Sequence, residues 1–304
     1  MDLNIIIQPI DGPREEEKIS IQKVRMAIKL GFEVVALNVI VDGQQMEGKN
    51  LKIPEPPVIK LGDFEMAEVK VAGKTFQVKS RLTCVVSDTN QCHHLTRSPL
   101  AKKYDILAVQ PMNEKIFQHV CGNMEVDIIC LDLASRLPFT LKREQVGQAS
   151  TRGMFFEIQY APCLKDRIAR RNTISNSRIL TQLTNKVNII ISSGSSQVMD
   201  LRSCFDAANL GLLFDLPENK CKEAVWSNCK KVLSQAVSRK LPGKGVLFMG
   251  GASQLQPSDQ WLLKACKMPT TGQEVVSSEK KSTVSITSDC SIVTKQKKKK
   301  IRLS

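Results

Sequence analysis

The stretch Val187–Leu216, VNIIISSGSSQVMDLRSCFDAANLGLLFDL, decides the architecture. Its opening run, Val187 to Ile191, is rich in β-branched residues, the composition of a strand buried on both faces in a parallel sheet. A small-residue loop, Ser192 to Ser196, follows at once, and its backbone N–H groups are expected to stand open to an approaching anion. Beyond Arg202, FDAANLGLLFDL reads as a buried helix. Strand, small-residue loop, helix is the order of an α/β protein whose working face lies at the carboxyl ends of its strands.

Working outward, the same unit recurs. Asp2–Ile7 is a strand, broken by Pro9 to Pro13. Glu15–Leu30 is a helix with an acidic first turn, Ile21, Val24 and Ile28 at helical spacing, and Gly31 as its stop. Phe32–Ile40 returns as an apolar strand, completing a βαβ unit with parallel strands. A polar connection over Asp42–Lys60 and a hairpin over Glu68–Val78 interrupt the rhythm, which resumes with Leu82–Val86, Ile106–Val109, Asp127–Leu131 and Phe155–Tyr160 as strands. Asn113–Gly122, Lys165–Thr184 and Pro217–Val237 read as helices, with Pro217 at the start of the last.

Seven strand candidates spaced by about 20 to 30 residues have the size of β/α units. Such a number closes more naturally into a TIM-like (β/α) barrel than into an open sheet, with Val198–Leu201 as a weak eighth strand. The rival, a doubly wound sheet, would carry a glycine fingerprint after its first strand, and none is present. The barrel domain is expected over residues 1–240. Residues 241–304 form a low-complexity basic tail ending in KQKKKKIR, expected to be disordered and suited to a nuclear address or a loose polyanion contact.

The formal net charge is +14, a field that favours polyanions. The tail does not account for it: from Met268 to Ser304 eight Lys and Arg stand against three Asp and Glu. No apolar run reaches membrane-spanning length, so no membrane partner is expected. The ten cysteines include Cys84 and Cys130 inside apolar strands, where a free thiol behaves as a small hydrophobe, and no CxxC occurs.

Three basic clusters carry the candidate chemistry. Lys79 and Arg81 flank a strand start, and Lys142, Arg143 and Arg152 follow Pro138–Phe139. The densest, KDRIARRNTISNSR, contains Lys165, Arg167, Arg170, Arg171 and Arg178. On a helix, Arg167, Arg170, Arg171 and Arg178 fall within about 100° of one another, with Ile168, Ile179, Leu180 and Leu183 on the other side and Ile174 among the arginines. Such a stripe offers forked donors to successive phosphates. With aromatic residues at 5%, base stacking is scarce, so RNA binding is expected to rest on phosphate and shape. Enzymatic signals are poor. His93, His94 and His119 are the only histidines, no second ligand pair accompanies His93–His94, and Asp2 and Asp42 at strand ends do not make a site.

Six blocks, SRLTCVVSD (Ser80–Asp88), KKYDILAVQP (Lys102–Pro111), VDIICLDLASRLPFTLKR (Val126–Arg143), FFEIQYAPCLKDRIARRNTIS (Phe155–Ser175), NIIISSG (Asn188–Gly194) and DAANLGLLFDL (Asp206–Leu216), resemble the thirty-kilodalton protein subunit family of ribonuclease P and ribonuclease MRP. The resemblance runs in order over roughly Met1–Val237; none of it extends past Leu241. It implies a TIM-type barrel akin to the metal-dependent PHP phosphoesterases, without their His-x-His pair, whose place reads Asp2–Leu3–Asn4.

The resemblance also implies a non-catalytic, RNA-binding subunit of a ribonucleoprotein in the nucleus and nucleolus. Its RNA removes the 5′ leader of precursor tRNA and, in the MRP particle, processes precursor rRNA. The implied partners are that RNA, a small subunit of RRM-like fold and the other proteins of the particle, with no cofactor. Arg81, Lys142, Arg143, Lys165, Arg167, Arg170 and Arg171 lie in matching blocks and are carried over as RNA-contact candidates. The alternative readings are a metal-dependent phosphoesterase on the same barrel and a small-molecule barrel enzyme, and both want a ligand cluster or acid–base pair.

Overall fold

The structure, a computed structural model, describes residues 1–7, 14–43, 53–57 and 76–240, with side chains from residue 18 onward in the first helix. Seven parallel strands are hydrogen-bonded in sequence order: β1 (Asp2–Ile7), β2 (Val34–Asp42), β3 (Gln77–Val86), β4 (Ile106–Pro111), β5 (Ile128–Cys130), β6 (Phe155–Gln159) and β7 (Ile189–Ser192). Helices α1 (Arg14–Lys29), α2 (Thr89–Arg97), α3 (Pro99–Lys103), α4 (Glu114–Asn123), α5 (Arg143–Thr151), α6 (Ala161–Lys165), α7 (Arg167–Leu183), α8 (Cys204–Gly211), α9 (Glu218–Val225) and α10 (Ser227–Lys240) connect or follow them.

The sheet curls until its edges meet just beyond β7. Ile5 bridges Ser195 in parallel, Ile6 N donates to Ser195 O at 2.9 Å, and Gly194 N donates to Asn4 O at 3.0 Å. The small residues of Ser192–Ser196 therefore serve as a closing seam, and the expectation of an open anion loop is corrected. Ser193 N is taken by Asp2 Oδ1 at 3.1 Å, Ser193 Oγ donates to Asn4 O, and Ser195 Oγ donates to Gln197 O. Gly194 has a φ of +59°, and a Cβ there would come within 2.7 Å of Gln159 Oε1. Val198–Asp200 is a 3₁₀ turn, so the described strands number seven and the weak eighth is withdrawn.

Strand alternation divides the apolar residues into two cores. The outward set, including Leu37, Val39, Leu82, Cys84, Val109, Phe156 and Ile191, packs under the helices against Val24, Leu95, Phe117, Val146, Leu180 and Phe214. The inward set, Leu3, Ala36, Ile106, Ala108, Ile128, Phe155 and Ile190, fills the lumen together with Cys229, Val232 and Leu233 of α10. That plug explains why Pro217–Val237 is two helices and not one. The chain breaks at Trp226 (φ −122°, ψ −77°), and α10 then lies across the amino ends of the strands. Asn228 Nδ2 donates to Ile189 O at 2.8 Å, Arg239 to Asp127 at 2.9 Å and Lys240 to Asp105 at 2.9 Å.

Local signals stop other elements where the sequence places them. Gly31 (φ +80°) ends α1, with Phe32 N donating back to Ala27 O at 3.1 Å. Asp88 and Gln91 form a reciprocal capping box at the start of α2. The Asp88–Lys103 link is helical in two pieces, α2 and α3. The expected hairpin and the Asp42–Lys60 connection lie largely outside the described residues, as does the tail from Leu241; Gln77 and Val78 extend β3.

Candidate nucleic-acid interface

Arg81 does not face solvent. It points from β3 into the lumen, fully buried, where Nη1 and Nη2 meet Glu157 Oε1 and Oε2 at 2.5 and 2.6 Å. Its remaining donors reach Leu3 O (2.7 Å), Thr83 Oγ1 (3.2 Å) and Cys130 Sγ (3.0 Å). Asn4, Ser192 and Gln159 also donate to the Glu157 carboxylate. Asn38 joins Asn4 to Thr83. Burial alone pushes the Glu157 carboxyl up, but Arg81 and the converging hydrogen bonds outweigh it and hold the group below its ordinary 4.5. Arg81 is thus removed from the RNA-contact set, because its charge is fully compensated inside the barrel.

The same network occupies the barrel's polar interior. Asp2 Oδ1 accepts from Asn4 N and Ser193 N, and burial raises the Asp2 carboxyl above its ordinary value. Asp42 is exposed at the far end of β2. His93 and His119 come together edge to face, with ring centroids 5.7 Å apart across α2 and α4. Among the described residues, no group of three or more His, Cys, Asp or Glu is placed to hold a metal ion.

The arginine helix gathers four exposed arginines on one face. Asp166 caps α7 by accepting from Ile168 N and Ala169 N at 3.0 and 2.9 Å. The helix buries Thr173, Ser177, Leu180 and Thr181, the i, i+4, i+7, i+8 face. Thr173 and Thr181 satisfy their hydroxyls on the carbonyls of Ala169 and Ser177, four residues back. Of the apolar residues expected on that face, Leu180 is buried and Leu183 half-buried, whereas Ile168 and Ile179 are exposed; Ile174, expected among the arginines, is half-buried against the core. Small hydroxyl residues let α7 lie close to the barrel, a preference that hydropathy alone does not register.

Arg167, Arg170, Arg171 and Arg178 all stand exposed on the outer face, lining an open concavity of about 670 Å³ with Ile174, Ser175, Ile179 and Gln182. No carboxylate of the described residues lies within ion-pair distance of any of the four. Arg170 Nε is held by Cys163 O at 2.7 Å, which orients its fork. The other candidates are partly spent. Lys165 pairs with Asp200 at 2.8 Å, Lys142 with Glu114 at 2.6 Å, and Arg143 donates to Asn185 Oδ1 at 3.1 Å. Arg152 is tied to Cys121 O and Met124 O. Arg178, part of the stripe in sequence, stands with Arg167 and Arg171 without a carboxylate partner among the described residues.

A (β/α) barrel with a largely hydrogen-bonded polar lumen, and an outer helix whose arginines lack carboxylate partners among the described residues, presents a surface whose chemistry suits anions. Residues 1–241 match the family model described as RNase P subunit p30, and the chain belongs to that family. It is 36% identical to ribonuclease P protein subunit p30 of Mus musculus, over 80% of this chain and 90% of that protein. It is 26% identical to the ribonuclease P/MRP protein subunit RPP1 of Saccharomyces cerevisiae, over 83% and 86% of the two. Its fold is similar to a chain of archaeal ribonuclease P solved by cryo-electron microscopy with mature tRNA, with a TM-score of 0.55, 14% identity, and coverage of 81% of this chain and 99% of that one.

Proposed function

We propose that this chain is a non-catalytic protein subunit of ribonuclease P and ribonuclease MRP that binds the particle's RNA through α7. The observation that carries the reading is the row Arg167, Arg171 and Arg178, exposed and free of carboxylate partners among the described residues, in a chain of net charge +14. Guanidinium forks spaced along a helix meet successive phosphates without reading bases. The RNA carries the chemistry of 5′-leader removal from precursor tRNA and of precursor rRNA processing, and the protein positions it. Family membership and the relatives' names support the particle. A small RRM-like subunit as partner, and residence in nucleus and nucleolus, complete the proposal, with the Lys-rich segment Lys295–Arg302 as a nuclear address.

The test is to tag the chain in cells, purify it gently, sequence the RNA that accompanies it and assay precursor tRNA cleavage. Recovery of one structured RNA with nuclease-sensitive leader cleavage is the expected result. Cleavage that survives complete digestion of RNA, or the absence of any RNA at low salt, overturns it.

A further inference from the structure

The face that α7 turns to solvent holds one exposed hydroxyl as well as its arginines. The stretch Arg170–Ser177, RRNTISNS, offers three hydroxyls: Thr173, Ser175 and Ser177. The structure separates them. Thr173 is 1% exposed and donates its hydroxyl to Ala169 O, and Ser177 is fully buried. Ser175 is exposed and lines the same concavity as the arginines, and its Oγ makes no hydrogen bond among the described residues.

Helical spacing fixes what stands beside Ser175. Arg171 is four residues before it and Arg178 three after, so both are its surface neighbours, about 5–6 Å away between β-carbons. Neither guanidinium has a carboxylate partner among the described residues. Ser175 sits in the middle of α7, so the arginines, and not the helix terminus, would hold an anion there. A phosphate on Oγ brings nearly two negative charges and three acceptor oxygens, which two guanidinium forks can meet.

We propose that Ser175 is a phosphorylation site, and that its phosphate pairs with Arg171 and Arg178 and withdraws them from RNA. The inference rests on the RNA-binding role proposed above for α7 and adds its regulation. The co-reactants are ATP and a serine kinase that reads arginines upstream of its target, where Arg170 and Arg171 stand here. Ser175 Oγ forms a bond to the γ-phosphorus, the bond from that phosphorus to the β,γ-bridging oxygen breaks, ADP leaves, and the hydroxyl proton passes to the kinase's base. The helix can open locally to such an enzyme. Of its buried residues only Leu180 is aliphatic, so opening exposes little apolar surface. RNA laid across the arginines covers Ser175, so the modification belongs to the chain before assembly.

The test treats the purified full chain with ATP and the catalytic subunit of the cyclic-AMP-dependent kinase and maps the label by mass spectrometry. Chain recovered from growing cells with phosphatases blocked is mapped alongside. Phosphate at Ser175, absent in S175A and suppressed by prior loading with RNA, is the expected result. A second arm installs phosphoserine at position 175 during synthesis. Phosphorus NMR should show this phosphate titrating below its ordinary value of about 6, and R171Q/R178Q should return it there. Affinity for the structured RNA recovered with the chain should fall by about tenfold or more, with a salt slope lower by about 2. The thermal melt should be unchanged or raised, because the paired phosphate supports the helix.

Absence of phosphate at Ser175 in both preparations, or label on Thr173 in its place, overturns the proposal. So does a phosphate that titrates at about 6 with the arginines present, a lowered melt, or undiminished RNA affinity of the phosphoserine chain where the unmodified chain binds RNA. Failure of the unmodified chain to bind any RNA is a failure of the function proposed above; the label and the titration still decide whether Ser175 is a phosphate site.

Discussion

Arg81 and Glu157 clasp one another across the lumen, 76 residues apart in sequence, through two contacts of 2.5 and 2.6 Å with neither side chain exposed. Removing one partner leaves the other charge buried without compensation. E157Q should therefore lose about 3–5 kcal/mol of stability at pH 7, read as a lower urea midpoint. The pH dependence has a defined sign. The folded Glu157 carboxyl sits below its ordinary 4.5, so its stabilisation is complete above pH 4.5 and is lost as pH falls through the folded value. The deficit of E157Q should accordingly narrow in acid, and an undiminished gap at low pH would show that the pair does not govern acid stability.

On α7, R167A/R171A/R178A should weaken binding to a structured RNA and reduce the slope of log K against log salt by about 1 per contact removed. Stability should change by less than about 0.5 kcal/mol, because the three side chains are exposed and unpaired within the described residues. An unchanged salt slope counts against this face. R170A is a less clean probe, since Arg170 also holds Cys163 O.

At the amino ends of the strands, Arg239 covers the buried Asp127, whose carboxyl burial raises despite the ion pair. R239M should destabilise by roughly 3 kcal/mol, as expected when one member of a buried pair is removed. D127N in that background should recover much of the loss. A double-mutant cycle from chemical denaturation checks this, and strict additivity would mean that the two groups do not interact.

The closing seam makes a backbone prediction. G194A places a β-carbon in the left-handed region and against Gln159, and should cost about 1–3 kcal/mol. Pairing it with Q159A, which removes the Oε1 and Cδ contacts and keeps that of Cβ at 3.0 Å, should relieve most of the steric part and leave the conformational part. Thermal melts of the single and double variants separate the two.

The strands were legible in the sequence because a parallel barrel buries both faces of each strand, so runs such as Val187–Ile191 and Leu82–Val86 stand out by composition alone. The β/α spacing then argued for closure, and capping residues such as Gly31 fixed one helix end. The arginine side of α7 was equally legible, since charge on a solvent face needs no distant partner. Its opposite face is less legible: hydropathy nominates Ile168 and Ile179, whereas close approach to the barrel selects Thr173, Ser177 and Thr181, of which the two threonines satisfy their hydroxyls within the helix.

Three features were decided only by tertiary structure. Arg81 belongs to the lumen because strand alternation turns it inward and closure brings Glu157 opposite; a lone guanidinium in a local window reads as a surface group. Ser192–Ser196 became a seam because its N–H groups and carbonyls pair with β1, nearly 190 residues away in the chain. The exposure of Phe205, Leu212 and Leu213 arose because one side of an apolar segment filled the space against the barrel and none was left for the other. Local sequence determines which residues seek burial. Which of them find it is settled by the finite volume that the closed barrel and its helices enclose.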